Sequence, residues 1–108
     1  MGVESIAHGA QAATVPTEHT LTTQTDKAVY VLVVDTNVMV NADVLHLTIN
    51  TKAVHDGTSR IAFQATYANI QSDLIKYSPP IPVDVEIVCT LNQLEGTSRT
   101  FPWSLLKI

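Results

Sequence analysis

Val83-Asp84-Val85-Glu86-Ile87-Val88-Cys89-Thr90-Leu91-Asn92 carries an apolar residue at every odd position from 83 to 91, against a mostly polar set at the even ones. Successive side chains of a strand point to opposite faces, so this period of two predicts a strand with a core face (Val83, Val85, Ile87, Cys89, Leu91) and a wet face. The pattern recurs on both sides of this stretch. Leu45, Leu47 and Ile49 alternate with His46, Thr48 and Asn50 in a strand over 43–53, and Ile61, Phe63, Ala65 and Tyr67 mark another over 60–68. His19, Leu21 and Thr23 alternate over 18–24, and Phe101, Trp103 and Leu105 place an apolar face on a last strand. Residues 28–35 are different: Ala28 to Val34 form an unbroken apolar run, which predicts a strand covered on both faces.

Between these runs lies turn chemistry. Thr36-Asn37 and Asn41-Ala42-Asp43 favour turns, and Ser78-Pro79-Pro80-Ile81-Pro82 reads as a stiff, extended connection leading to Val83. Pro102 lacks an N–H, which predicts that the last strand is an edge or that its proline lies on an unpaired side. Asp56-Gly57-Thr58-Ser59-Arg60 recurs as Glu95-Gly96-Thr97-Ser98-Arg99, and the simplest account is two equivalent hairpin turns. Helical periodicity is nearly absent. About seven short strands with regular turn signals predict an all-β fold, an antiparallel β-sandwich, with jelly-roll-like topology as one way to connect it. Residues 1–16, rich in Ala, Gly and Gln and ending at Val15-Pro16, read as an extended N-terminal arm that orders on binding a partner, and residues 17–108 as the β-sandwich domain.

The chain has 108 residues, room for one modest core. Hydrophobic residues make up 45% and charged residues only 15%, an uncharged surface that suits contact with other protein. A net charge of -4 opposes binding to nucleic acid or an anionic membrane. The N-terminus has no basic region followed by an apolar run, so we expect no signal peptide, and the longest apolar run, seven residues, is far short of the ~20 of a membrane helix.

The residues capable of chemistry form no familiar constellation. His46 and His55, with Asp56, are the nearest approach to a metal site, but their spacing fits no compact ligand motif, and we read them as surface groups. Asp84 and Glu86 share a strand face as a carboxylate pair, yet the chain supplies few aromatics to grip a sugar; a solvated or subunit-facing strand fits better. Cys89 falls on an apolar face as an inert thiol. The four glycines, at 2, 9, 57 and 96, form no phosphate loop. We therefore expect no enzymatic activity, no cofactor and no metal. Arg60 and Arg99 could jointly hold an anion or a partner carboxylate; the alternative is that each pairs locally, with Asp56 and Glu95.

The uncharged stretch Ala7-His8-Gly9-Ala10-Gln11-Ala12-Ala13, the Val- and Thr-rich strands, the two Gly-Thr-Ser-Arg turns and the terminal Phe101-Pro102-Trp103-Ser104-Leu105-Leu106 together resemble the small all-β virion proteins of tailed bacteriophages, in particular capsid decoration (cement) proteins. The resemblance implies a non-enzymatic virion protein, made in the host cytoplasm, that oligomerises, with a trimer as first choice. It would reinforce contacts of the major capsid protein. A tail-associated receptor- or carbohydrate-binding β-sandwich is the competing reading, for which Tyr30 and Tyr77 are the candidate exposed rings. Arg60, Arg99, Leu106 and Ile108 are the candidate partner-binding residues; charge at Leu106 or Ile108 is expected to shift the protein toward monomer.

Overall fold

A computed structural model describes residues 2–108, and among them are nine strands and no helix. In chain order they are β1 (Glu4–Ala12), β2 (Glu18–Gln24), β3 (Ala28–Asp35), β4 (Val44–Thr51), β5 (Arg60–Ala68), β6 (Ile75–Tyr77), β7 (Ile81–Val83), β8 (Ile87–Glu95) and β9 (Thr100–Lys107). They form two antiparallel sheets. Sheet A runs β1-β9-β3, with β6 and β7 lying in line along the far side of β3; sheet B runs β2-β8-β4-β5. Every connection crosses from one sheet to the other except two: the β4–β5 hairpin, and the link between β6 and β7, two pieces of one strand position. Counting that position once gives two four-stranded sheets with the strand order of a jelly roll.

The core is the row of inward residues that the period of two selects. Tyr30, Leu32 and Val34 of β3, Leu45, Leu47 and Ile49 of β4, Ile87, Cys89 and Leu91 of β8, and Phe101 and Leu105 of β9 pack as one cluster between the sheets. The strands expected over 18–24, 28–35 and 60–68 form with those bounds.

Three expectations need correction, while the proline of the last strand meets the second of its two alternatives. The expected strand over Val83–Asn92 is two strands on different sheets: the chain leaves sheet A after Val83 and enters sheet B at Ile87, so Asp84 and Glu86 sit at a corner and not on one strand face. Period two continues across the corner because both strands face the same core. Asp84 instead forms an exposed ion pair with Lys27 at 3.3 Å.

The expected arm of residues 1–16 contains β1, which pairs with β9 from Glu4 to Ala12; Met1 lies outside the described residues. Ladder hydrogen bonds to β9 order a stretch whose own side chains bury little, a contribution invisible in its composition. Pro102 lies on an interior strand, since β9 is flanked by β1 and β3, but pairing with β3 runs only from Trp103 to Lys107. The proline sits just beyond that ladder.

Tyr30 is the third correction. Expected as an exposed ring, it is fully buried, its hydroxyl donating to the Asp26 carbonyl at 2.6 Å. Burial first, and the Asp26 charge second, push its phenol above the ordinary value.

Trp103 faces inward opposite Gly9 but remains half-buried: with no side chain at Gly9, the indole lies along that backbone, and a Cβ there would stand 3.4 Å from its Nε1. Trp103→Ala is therefore expected to cost about 2 kcal/mol, below the ~3–5 kcal/mol of a fully buried aromatic. Chemical denaturation measures the loss, and an indole emission maximum between the buried and exposed limits checks the environment.

Candidate interaction surface

The outward rows of the two sheets differ in chemistry. Sheet B turns Thr20, Thr90, Thr48 and Gln64 outward in one cross-strand row and Glu18, Asn92, His46 and Thr66 in another, a polar face suited to water. His46 Nδ1 bonds Thr66 Oγ1 at 2.7 Å. Sheet A is apolar on the corresponding side. Register places Leu106 beside Val31, Ser104 and Tyr77 on either side of Val33, and Ile75 beside Asp35. Val29 joins them next to Pro82, and Ala10 lies beside Pro102.

Val29, Val31 and Val33 are the residues that made 28–35 look covered on both faces. One face is covered, by the core. The other is not: the molecule measures 41 × 31 × 19 Å, and its shortest dimension holds two sheets about 10 Å apart with no third layer. The three valines are half-buried by their neighbours in the sheet, while Tyr77 is 65% exposed and Ile75 43%. A shallow apolar depression between Val33, Asp35, Ile75 and Pro102 lies within this face.

Of the four candidate partner-binding residues, Leu106 belongs to this face, and Ile108, 55% exposed, follows it beyond the end of β9, its N–H donating to the Val29 carbonyl. The arginines do not meet. Arg60 opens β5 opposite Thr51 at one end of β4, beside an open pocket of about 520 Å³ lined by Thr51, Val54, Thr58 and Ile61. Arg99 lies by Asp43 at the other end of β4, about 25 Å away at the ~3.3 Å rise of a strand. A joint anion site is thereby excluded.

Arg99 also departs from local pairing. Its Nε donates to Asp43 Oδ2 at 3.0 Å, just ahead of the neighbouring strand β4 in sheet B, and not to Glu95. Asp43, 1% exposed, also accepts from the N–H groups of Val40 and Thr97. Burial alone would raise the Asp43 pKa, but these hydrogen bonds and the Arg99 charge outweigh it and hold the carboxyl below its ordinary value. Gln93, fully buried, finishes the cluster: its amide donates to the carbonyls of Glu95 and Thr97 and accepts from the Arg99 N–H. The two Gly-Thr-Ser-Arg turns are thus not equivalent. The first closes the β4–β5 hairpin within sheet B; the second carries the chain from β8 to β9 between sheets, with Gly96 at φ +97°. This polar cluster locks the β3–β4 and β8–β9 connections together and is structural, not a site. Nothing in sequence spacing pairs Asp43 with Arg99.

His55, read with His46 as a surface group, lies in the β4–β5 loop against Asp56, whereas His46 is in mid-strand on sheet B. Cys89 is buried among core residues, and desolvation pushes its thiol up to about 12, so it stays protonated at neutral pH.

The chain is thus a jelly roll with one polar and one apolar outer face. No family model matches the chain, and no curated protein matches it. Solved structures do. The chain is similar to the protein of infectious bursal virus-derived T=1 particles, with a TM-score of 0.54 and 16% identity over 97% of this chain and 30% of that one. It is similar also to infectious bursal disease virus VP2 in a subviral particle (TM-score 0.53, 14% identity, 99% and 32%) and to the Gt strain of the same virus (0.50, 18%, 97% and 32%). The chain spans about a third of the length of these proteins. What is shared at such identity is the fold, an antiparallel β-sandwich, and the likeness does not single out phage decoration proteins.

Proposed function

We propose that this chain is a non-enzymatic structural component of a virus particle, a jelly-roll module that assembles with itself and with other virion proteins, as a capsid decoration protein does. The observation that supports this reading is the apolar outer face of sheet A on a fold whose structural neighbours form viral particles. Extended apolar sheet surface left in water marks a place where protein packs on protein. The remaining residues point the same way: the carboxylates lie apart at a corner, the thiol is protonated and buried, and the buried charge is committed to locking two loops. A receptor- or carbohydrate-binding tail module is the weaker reading, since Tyr30 is buried and Tyr77 alone of the two rings stands ready to stack on a sugar.

Quantitative mass spectrometry of purified particles tests this. A decoration role gives a copy number comparable to that of the major capsid protein; a tail module gives a copy number lower by one to two orders of magnitude. Absence from purified particles overturns the virion reading.

A further inference from the structure

We propose that the free edge of β5 is a strand-addition site, which takes an extended segment of another protein, antiparallel to β5, with alternate apolar residues and an acidic residue at its C-terminal end. The site is separate from the apolar face of sheet A and does not rest on the reading above.

A strand at the rim of a sheet presents main-chain N–H and C=O groups to solvent, and another extended backbone satisfies them in register. The two sheets have four such rims: β1 and β6/β7 in sheet A, β2 and β5 in sheet B. Three are poor templates. β6 and β7 are three residues each, separated by a stretch with Pro79 and Pro80, and Pro82 lies inside β7. β2 carries Glu18 and is bulged at Leu21, where its register against β8 skips a residue. β1 is bulged at Ile6, and its inward row of Ala7, Gly9 and Gln11 offers an incoming side chain little apolar surface.

β5 differs from these. It has a bulge at Ala62, but Phe63 to Ala68 then run in unbroken register against β4, with no charge, glycine or proline. Among the described residues nothing outside β4 bonds the main chain of 61–67. Six residues at ~3.3 Å each leave about 20 Å of rim, the length of an ordinary strand. Phe63 and Tyr67 pack against the core yet stay half-buried, as does Ala65 between them, so an added strand with apolar residues beside this row would extend the core layer.

Charge sets the direction of the incoming strand. Arg60, exposed at the start of β5, forms no ion pair among the described residues, and Asp56, the nearest carboxylate in sequence, faces His55 at 3.5 Å. In an antiparallel pair the C-terminal end of the incoming strand arrives beside Arg60, where an acidic side chain meets the guanidinium. β5 of a second copy lacks that acid: paired antiparallel, it would bring Tyr67 and Ala68 to Arg60.

NMR of the full chain with a synthetic peptide tests the site. The probe is a lysine, three threonine–valine pairs, a threonine and a glutamate, with blocked termini. Saturating peptide is expected to slow hydrogen exchange by at least about tenfold at alternate amides of residues 63–67, and not at those of β1. N-methylation of all valines or of all threonines blocks opposite edges of the peptide, so one methylated peptide should bind like the parent and the other should not bind. Glutamine in place of the peptide's glutamate should weaken binding about threefold, as for an exposed ion pair, and in Arg60→Gln the two peptides should bind equally. No slowing at 63–67, slowing at β1 instead, binding by both methylated peptides or by neither, or indifference of the wild-type chain to the glutamate overturns the proposal.

Discussion

Asp43→Ala is expected to lower folding stability by about 3 kcal/mol, read as a shift of the denaturant midpoint at constant slope. The substitution removes the one acceptor shared by the Val40 N–H, the Thr97 N–H and the Arg99 guanidinium. A buried donor left without a partner costs about 1–3 kcal/mol. The three losses do not sum, because the Arg99 side chain is 28% exposed and water can take up part of its demand. The effect also depends on pH. With its folded pKa held below the unfolded value of about 3.9, Asp43 contributes stability that is fully present above that value and disappears as pH falls through the folded pKa. Wild-type stability should therefore fall more steeply below about pH 4 than that of Asp43→Ala, and the two acid limbs should converge. Parallel limbs would mean that the carboxylate is not held in its charged form by the fold.

How much of this was legible in the sequence follows from which interactions are local. Alternation along β2, β4, β5 and β9 located the strands and the core, since the side-chain period of a strand is a property of the strand alone. The run Ala28–Val34 also carried the signal of the interaction surface: a strand apolar on both faces needs two covers, and the fold supplies only one. Three things were hidden. Alternation could not show that the chain changes sheets between Val83 and Ile87, because both segments face the same core. Composition could not show that residues 4–12 join a sheet, because backbone hydrogen bonds to β9 hold them. The partner of Arg99 was equally hidden, because Asp43 comes from a loop 56 residues away, while Glu95 stood much nearer in sequence.

Gly96→Ala is expected to cost as much as Asp43→Ala, by a different route. At φ +97° the backbone is in a region that non-glycine residues occupy only under strain, worth about 1–3 kcal/mol. A methyl group there would also overlap Asp43 Oδ1 and come within 2.8 Å of the Asp43 Cα, forcing the loop away from the carboxylate that anchors it. Together these predict a loss of about 3–4 kcal/mol. At Gly57, the counterpart in the first turn, φ is not positive and an added Cβ meets Val54 Cγ2 and the Val54 carbonyl at 3.0 Å, a tighter-than-ordinary contact without backbone strain, so Gly57→Ala should cost less than about 1 kcal/mol. The two glycines stand in the same local sequence, and the difference between them measures the φ strain and the tertiary contact at Gly96 together. A double-mutant cycle isolates that contact: in Asp43→Ala the overlap with Oδ1 is gone while the φ strain and the close Cα remain. The double variant should then lose at least about 1 kcal/mol less than the sum of the two single losses. Additive losses would show that Gly96 is required by its dihedral angle and its approach to the Asp43 Cα, and that the β8–β9 connection does not depend on the Asp43 carboxylate for its path.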